Sequence, residues 1–376
     1  MRAMPSFPPY KVTRPPVAKR WIAAASLMGP IAGGCSVLLR KTEVSGGAVI
    51  TAMLIGISVV GTLWLFRLWY YRCSVHNATL WQQEVNAIQQ QWWIQHRRQF
   101  GLLETVLIGP AGSNELEWER VFRRETLPPK ARGERGFAAF RIARTFSEDA
   151  DERDQQLARM LVLQWIKQPN SNARLSPARC YWAGSNIAWR AFTGQMKLTF
   201  PDVVLPEEPK PWRGEETLAE LAEMFADAAP DTQALVAGCQ SLTASATAVR
   251  PASETAVLWL VGATAPVVLA RGEIFEPTAN ESILQVCQRA QIQSELEQVP
   301  EYCMLFSPSG QPELASCGWN VTQHLQDSYW GESGEMEPLV AISLAAIFAR
   351  TQKQPCGWIA ADPLHTLALG IIKPYG

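Results

Sequence analysis

The chain has 376 residues, 47% of them hydrophobic, which is enough for a membrane segment plus one or two globular domains. Its net charge of -1 excludes an overall field that would recruit nucleic acid or an acidic substrate. The eight cysteines (Cys35, Cys73, Cys180, Cys239, Cys287, Cys303, Cys317 and Cys356) contain no CxxC pair, which argues against a structural zinc site and against a compact disulfide scaffold.

Residues 1–20 form a basic, proline-rich tail with Arg2, Lys11, Arg14, Lys19 and Arg20 and no acidic residue. Residues 21–39 and 48–66 carry no charge. At about 1.5 Å per residue, each run is long enough as a helix for a hydrocarbon core of roughly 30 Å. The short RKTEVSGG between them makes the pair a transmembrane hairpin, assigned to residues 21–72. Arg67, Arg72, Arg97 and Arg98 follow the second run, whereas Arg40 and Lys41 in the turn are opposed by Glu43. The positive-inside rule then puts both termini in the cytoplasm, with Trp64, Trp69, Tyr70 and Tyr71 as an aromatic belt. Three alternatives stay open: a cleaved signal peptide, although no AxA site follows; a lipoprotein box, IAGGCS, ending at Cys35; and a re-entrant first run interrupted at Gly29-Pro30, which would invert the topology. Gly29 and Gly33 form a GxxxG spacing that suits either packing within the hairpin or docking on a partner's helix.

Residues 73–100 continue as a juxtamembrane helix, with Trp81, Val85, Ile88 and Trp92 in a coiled-coil-like seam. The seam fits packing on the protein's own domain or pairing with another chain as a homo-oligomer, and Trp93 joins it as an interaction candidate. Beyond it the sequence predicts two α/β subdomains, residues 101–205 and 212–376, separated by the proline-rich stretch 201–216. The predicted elements are a strand over 102–108, a basic loop over 126–136, a helix over 152–167, a strand over 180–182 and a helix over 217–226. A strand over 233–238 follows, then an antiparallel pair over 255–261 and 266–271, a helix over 281–297 and a strand over 302–306. The chain closes with an Ala-rich buried helix over 336–350 and a hairpin over 356–361 and 366–372. The fold class is therefore layered mixed α/β. No internal repeat is evident.

Catalytic signals are sparse. The phosphate loop, the GxSxG elbow, HExxH, GxGxxG after a strand and EF-hand spacing are all missing, so no catalytic, cofactor-binding or metal residues are assigned and no cofactor is expected. His76 and His96 flank the juxtamembrane helix. His324 lies one helical turn before Asp327, and His365 follows Asp362-Pro363. Cys239 with His324 or His365 would be the one conceivable nucleophile pair, but a buried structural thiol is the plainer reading of Cys239. Glu335 and Glu337 precede a helix whose dipole they favour, and residues 307–310 (SPSG) read as a turn.

Two resemblances follow from these features. The order of elements after residue 212, with VAGCQSL (236–242) and PVVLARGE (266–273), is similar to thiolase-like domains. Separately, the proline-rich start MPSFPPYKVTRPP, the two spans, the helix ending QQQWWIQHRRQFGLLETVLIG and the closing segment 336–374 resemble bacterial inner-membrane proteins of a virulence-factor group associated with type VI secretion, with a further relation to lipase-effector adaptors. That second resemblance implies an inner-membrane, non-enzymatic adaptor or assembly factor that binds a secretion-system component or effector and contacts the lipid bilayer but no nucleic acid. The alternatives are an immunity protein against a secreted toxin and an enzyme of thiolase-like ancestry.

Overall fold

The computed structural model describes residues 4–39, 45–168, 175–278, 281–307, 314 and 318–375. Arg2, Arg40, Lys41, Glu43, Cys317 and most of the SPSG turn lie outside these residues. The chain divides into two compact units, Met1–Trp93 and Ile94–Gly376.

The first unit holds α1 (Ala18–Leu39) and most of α2 (Gly46–His96), so the second apolar run and the juxtamembrane helix are one continuous helix of 51 residues. α1 passes through Gly29 and Pro30 without a break. Both helices are long and apolar enough to cross a membrane, and only 11% of each apolar window is buried. A core helix of a soluble protein would hide such a window, so these two suit a lipid bilayer. Small residues let α1 and α2 approach closely. A Cβ at Gly33 would lie 2.8 Å from Met53 Cγ, and one at Gly29 would lie 3.3 Å from Ile57 Cδ1. The extended segment before α1 runs back along α2: Thr13 N–H donates to Ser74 Oγ (3.1 Å), and Trp81 Nε1 donates to the Pro8 carbonyl (3.3 Å).

The second unit begins with β1 (Gln99–Ile108), α3 (Glu115–Phe122) and a small hairpin, β2 (Arg132–Glu134) with β3 (Phe137–Ala139), at the end of the basic loop. Next come α4 (Ala150–Trp165), β4 (Pro177–Ala183), α5 (Asn186–Thr199), β5 (Lys210–Pro211), α6 (Glu215–Ala226), β6 (Gln233–Ser241) and β7 (Glu254–Gly262). The remainder is β8 (Val267–Ala270), β9 (Glu273–Phe275), α7 (Ile283–Gln293), β10 (Tyr302–Leu305), β11 (His324–Leu325), α8 (Asp327–Trp330), α9 (Glu337–Gln352), β12 (Cys356–Ala360) and β13 (Leu367–Pro374).

These strands reveal a duplication that the sequence hides. The main sheet runs β11-β10-β12-β13-β8-β1-β7-β6-β4-β5. Numbering the five main strands of each half in chain order, β1, β4, β5, β6, β7 and β8, β10, β11, β12, β13, both halves read 3-2-4-5-1. In each half the second strand pairs in parallel with the third and the fourth, and the fifth is antiparallel to both its neighbours. The halves join where β1 meets β8, antiparallel. The 255–261 and 266–271 strands, expected to pair with each other, are therefore separated by β1. The short turn between them carries the chain from one half to the other. The proline-rich stretch 201–216 lies inside the first half, where it supplies β5 and the start of α6.

Packing follows from strand alternation. In β6, Ala234 and Val236 face the cluster that contains α6 and α9, while Leu235, Ala237 and Cys239 face α4 and α5. α9 is buried all round, from Glu337 to Ala349, so its sequence shows almost no amphipathic period. It shares one core with α3, α6 and residues from both halves of the sheet.

A charged network is buried beside the β6–β7 turn. Glu254, fully buried, accepts from Ile142 N–H (2.7 Å), Thr145 Oγ1 (2.6 Å) and Ser241 Oγ (3.2 Å), and Arg153 Nε lies 3.3 Å away. Asp154 accepts from the Ser241 amide (2.6 Å), yet burial pushes its carboxyl up to about 6. A carboxyl raised in the folded state favours folding below its ordinary value near 3.8, and that contribution is lost as pH rises through about 6. Asp154→Asn keeps an acceptor for Ser241. It is expected to remove on the order of 2 kcal/mol of this pH-dependent loss, seen as a flatter stability profile between about pH 4 and 6.5 than wild type in parallel denaturation curves. Parallel profiles for the two proteins would contradict the assignment.

Candidate functional site

In each half, the chain leaves the short third strand and enters a buried helix of the shared core. The first-half junction is an abrupt elbow. Gly214, the N-cap of α6, has φ 58° and ψ -130°, a conformation essentially reserved for glycine. The second half has a counterpart in Gly331 (φ 66°, ψ -144°), just before the short turn that leads into α9. A strand-to-helix elbow presents its residue beside the first free amides of the helix, where an oxyanion or a nucleophile is stabilised.

At Gly214 that position is filled from the other half of the chain. A Cβ on residue 214 would lie 2.6 Å from both carboxylate oxygens of Asp362, which sits in the β12–β13 turn. Asp362 is buried and receives the Glu215 backbone amide at the start of α6. Burial raises its carboxyl above the usual range, and hydrogen bonds from the Leu364 and Glu215 amides, together with nearby His365, pull it back only in part.

Further acid–base groups surround the elbow. Glu215 is buried and meets the Arg271 guanidinium at 3.1 Å. Glu273, close enough to feel both, is pushed up to about 7 by burial despite its bond from Arg289 Nε at 2.7 Å. His365 Nδ1 lies 2.5 Å from Glu276 Oε1. Such a cluster can donate, accept and hold protons near neutral pH. It contains no serine or cysteine, and the Asp362 carboxylate leaves no room for a side chain at the elbow.

The sequence-derived candidates lie elsewhere. Cys239 is fully buried with its thiol toward the Asp154 carbonyl (3.4 Å), and burial holds its thiol well above the ordinary range. His324 packs against Tyr302 and Phe348 and has its imidazole pushed down by burial. Asp327 accepts from Arg250 Nη1 (2.8 Å) and from the Ser307 amide (2.9 Å). The Cys239 side chain faces α4 and α5 while His324 packs against α9, so these two do not pair. Glu337, at the first turn of α9, is bonded by Arg250 and by the Ala361 amide. In the juxtamembrane seam, Trp81 stands edge-on to Phe7 at 6.2 Å, Val85 is half-buried, Ile88 is exposed, and Trp92 packs edge-on to Trp93 at 4.8 Å. Among the described residues, no group of three His, Cys, Asp or Glu side chains could hold a metal ion.

Two sizeable hollows of the second unit lie away from the elbow. Two adjoining grooves of about 730 and 740 Å³ share Ser113, Glu117, Arg144, Gln164 and Lys167. They open at the C-terminal end of β1, where open α/β sheets place ligands, but neither is lined by Gly214 or Asp362.

No protein-family model matches the sequence, and neither does any curated protein. Solved structures do match. The ishigamide ketosynthase/chain length factor aligns over 74% of this chain and 99% of its own at a TM-score of 0.50 and 12% identity. The ketosynthase from module 6 of the bacillaene synthase of Bacillus subtilis 168 aligns over 74% and 70% at 0.49 and 11%. A monomeric SCP2-thiolase-like protein from Mycobacterium smegmatis aligns over 75% and 78% at 0.46 and 11%. The fold is accordingly mixed α/β and thiolase-like.

This corrects the likeness to inner-membrane proteins of type VI secretion and the adaptor role drawn from it. The structure that aligns at a TM-score of 0.50 is a ketosynthase/chain length factor, not a secretion adaptor. The features behind that likeness have other origins. The closing segment is α9 and the β12–β13 hairpin, whose apolar residues are demanded by burial in the core. A basic start before two apolar runs is what any membrane hairpin requires.

Proposed function

We propose that this chain is a membrane-anchored protein of thiolase-like enzyme ancestry that no longer forms a covalent acyl-enzyme at its elbow. One observation carries the reading: Gly214 holds the strained strand-to-helix position, and the Asp362 carboxylate occupies the space that a nucleophilic side chain would need. An acyl-enzyme needs a nucleophile with an adjacent base, and the elbow offers only the base. The chemistry left to it is proton transfer by Asp362, with His365 and Glu276 alongside. The fold contributes ancestry; the activity follows from the residues at the site.

The test is covalent capture. The detergent-solubilised full chain is incubated with an alkyne-tagged acyl-CoA thioester, and hydroxylamine-labile label is mapped by peptide mass spectrometry. The expected result is no such label within residues 94–376, for wild type and Cys239→Ala alike. Stoichiometric label on any residue of that unit would overturn the reading.

A further inference from the structure

We propose that the first unit carries a binding collar for anionic phospholipid headgroups, built by folding the N-terminal segment back on α2; this rests on the membrane-anchored reading above. The charge pattern is one-sided. From residue 1 to residue 83 the only acidic residue is Glu43, which lies between the two apolar runs in sequence. At the end where α1 begins, Lys11, Arg14, Lys19, Arg20 and Arg72 are exposed and Arg67 is half-buried.

The structure lays the N-terminal basic residues, distant in sequence, along the stretch of α2 that starts at Arg67. Arg67 is the first charge after the second apolar run, and its Nη2 donates to the Arg14 carbonyl (2.9 Å). One step further out, Thr13 N–H donates to Ser74 Oγ (3.1 Å). The segment is held beyond that by the Trp81 indole on the Pro8 carbonyl, by Gln89 Nε2 on the Pro5 carbonyl (3.3 Å) and by Phe7 against Trp81. Lys19 and Arg20 stand in the first turn of α1. An unfixed tail would spread these cations through solvent. The folded-back segment holds them beside Arg67 and Arg72, where the apolar helices end. Trp69 and Tyr70 are exposed on α2 next to Arg67, as suits the headgroup zone.

The chemistry selects the ligand. Guanidinium and ammonium groups bind phosphate oxygens, and among the described residues of the first unit none of these cations forms an ion pair. Their position at the end of two apolar helices assigns those oxygens to lipid phosphates rather than to a soluble anion.

The full chain is incorporated into nanodiscs of pure phosphatidylcholine and of phosphatidylcholine with phosphatidylglycerol. Lipids retained on gentle release are counted by native mass spectrometry. Wild type is expected to retain phosphatidylglycerol enriched roughly threefold or more over the bulk ratio, with the enrichment falling as salt is raised. The variant Lys11→Gln/Arg14→Gln/Lys19→Gln/Arg20→Gln, incorporated equally well, is expected to lose it. A bulk lipid ratio around wild type, or unchanged enrichment in the variant, would overturn the collar while leaving the anchor intact. Displacement of the lipid by inorganic phosphate at constant ionic strength would overturn the assignment to lipid. Failure to enter either nanodisc would overturn the anchor, and the collar with it.

Discussion

Gly214→Ala is expected to cost about 3–4 kcal/mol and to lower the thermal midpoint of the solubilised chain by roughly 6–10 °C. Two effects add. Alanine at φ 58° and ψ -130° adopts a region that L-residues avoid, at about 1–3 kcal/mol. Its methyl would also sit 2.6 Å from both Asp362 oxygens, well inside van der Waals contact. Asp362 has little freedom to retreat, because it is buried and receives amides from α6 and from its own turn. An exposed residue such as Val249, 96% accessible, is expected to tolerate alanine within about 0.5 kcal/mol, and differential scanning fluorimetry of both variants checks the contrast.

Glu254→Met is expected to be at least as damaging, at about 3–5 kcal/mol. Methionine fills a similar volume, so the loss is electrostatic. The substitution leaves Arg153 and Arg141 buried without their central anion and deprives the Ile142 amide, Thr145 and Ser241 of their acceptor. Glu134 also touches both arginines but is more exposed, so it offsets only part of the charge. Equilibrium denaturation should show a lowered midpoint for Glu254→Met. A change below about 1 kcal/mol would show that the network is not worth what its burial implies.

How far the fold is legible in the sequence depends on the kind of signal each element needs. The two apolar helices and the closing hairpin are readable because hydrophobic length and alternation depend on the local sequence alone. α5 is legible in the sequence and was missed: Ser185 caps it, and Ala188, Trp189, Phe192 and Met196 recur at helical spacing on its buried face. The duplication was invisible for a physical reason. Its third strands, Lys210–Pro211 and His324–Leu325, are two residues each and carry no alternation. The pairing of β1 with β8 is likewise a tertiary fact, and so the 255–271 region looked like a hairpin.

The site was less legible still. Gly214 lay in a proline-rich stretch and read as a boundary residue. A glycine followed by Glu215 and Glu216 at a helix start was the available signal, but its meaning depends on ψ and on Asp362, supplied from the far end of the chain. Cys239 drew attention because it follows a strand. Strand alternation already places it on the face opposite Val236, away from the core that holds α6 and α9.

The closed elbow is tested most directly by a double-mutant cycle on Gly214→Ala and Asp362→Ala in the full chain. If the Asp362 carboxylate fills the space above residue 214, removing it should relieve the overlap, and the two substitutions should couple by about 1 kcal/mol or more. Costs that add to within roughly 0.5 kcal/mol would mean the two residues do not meet, and the account of a nucleophile position closed from the other half would fall.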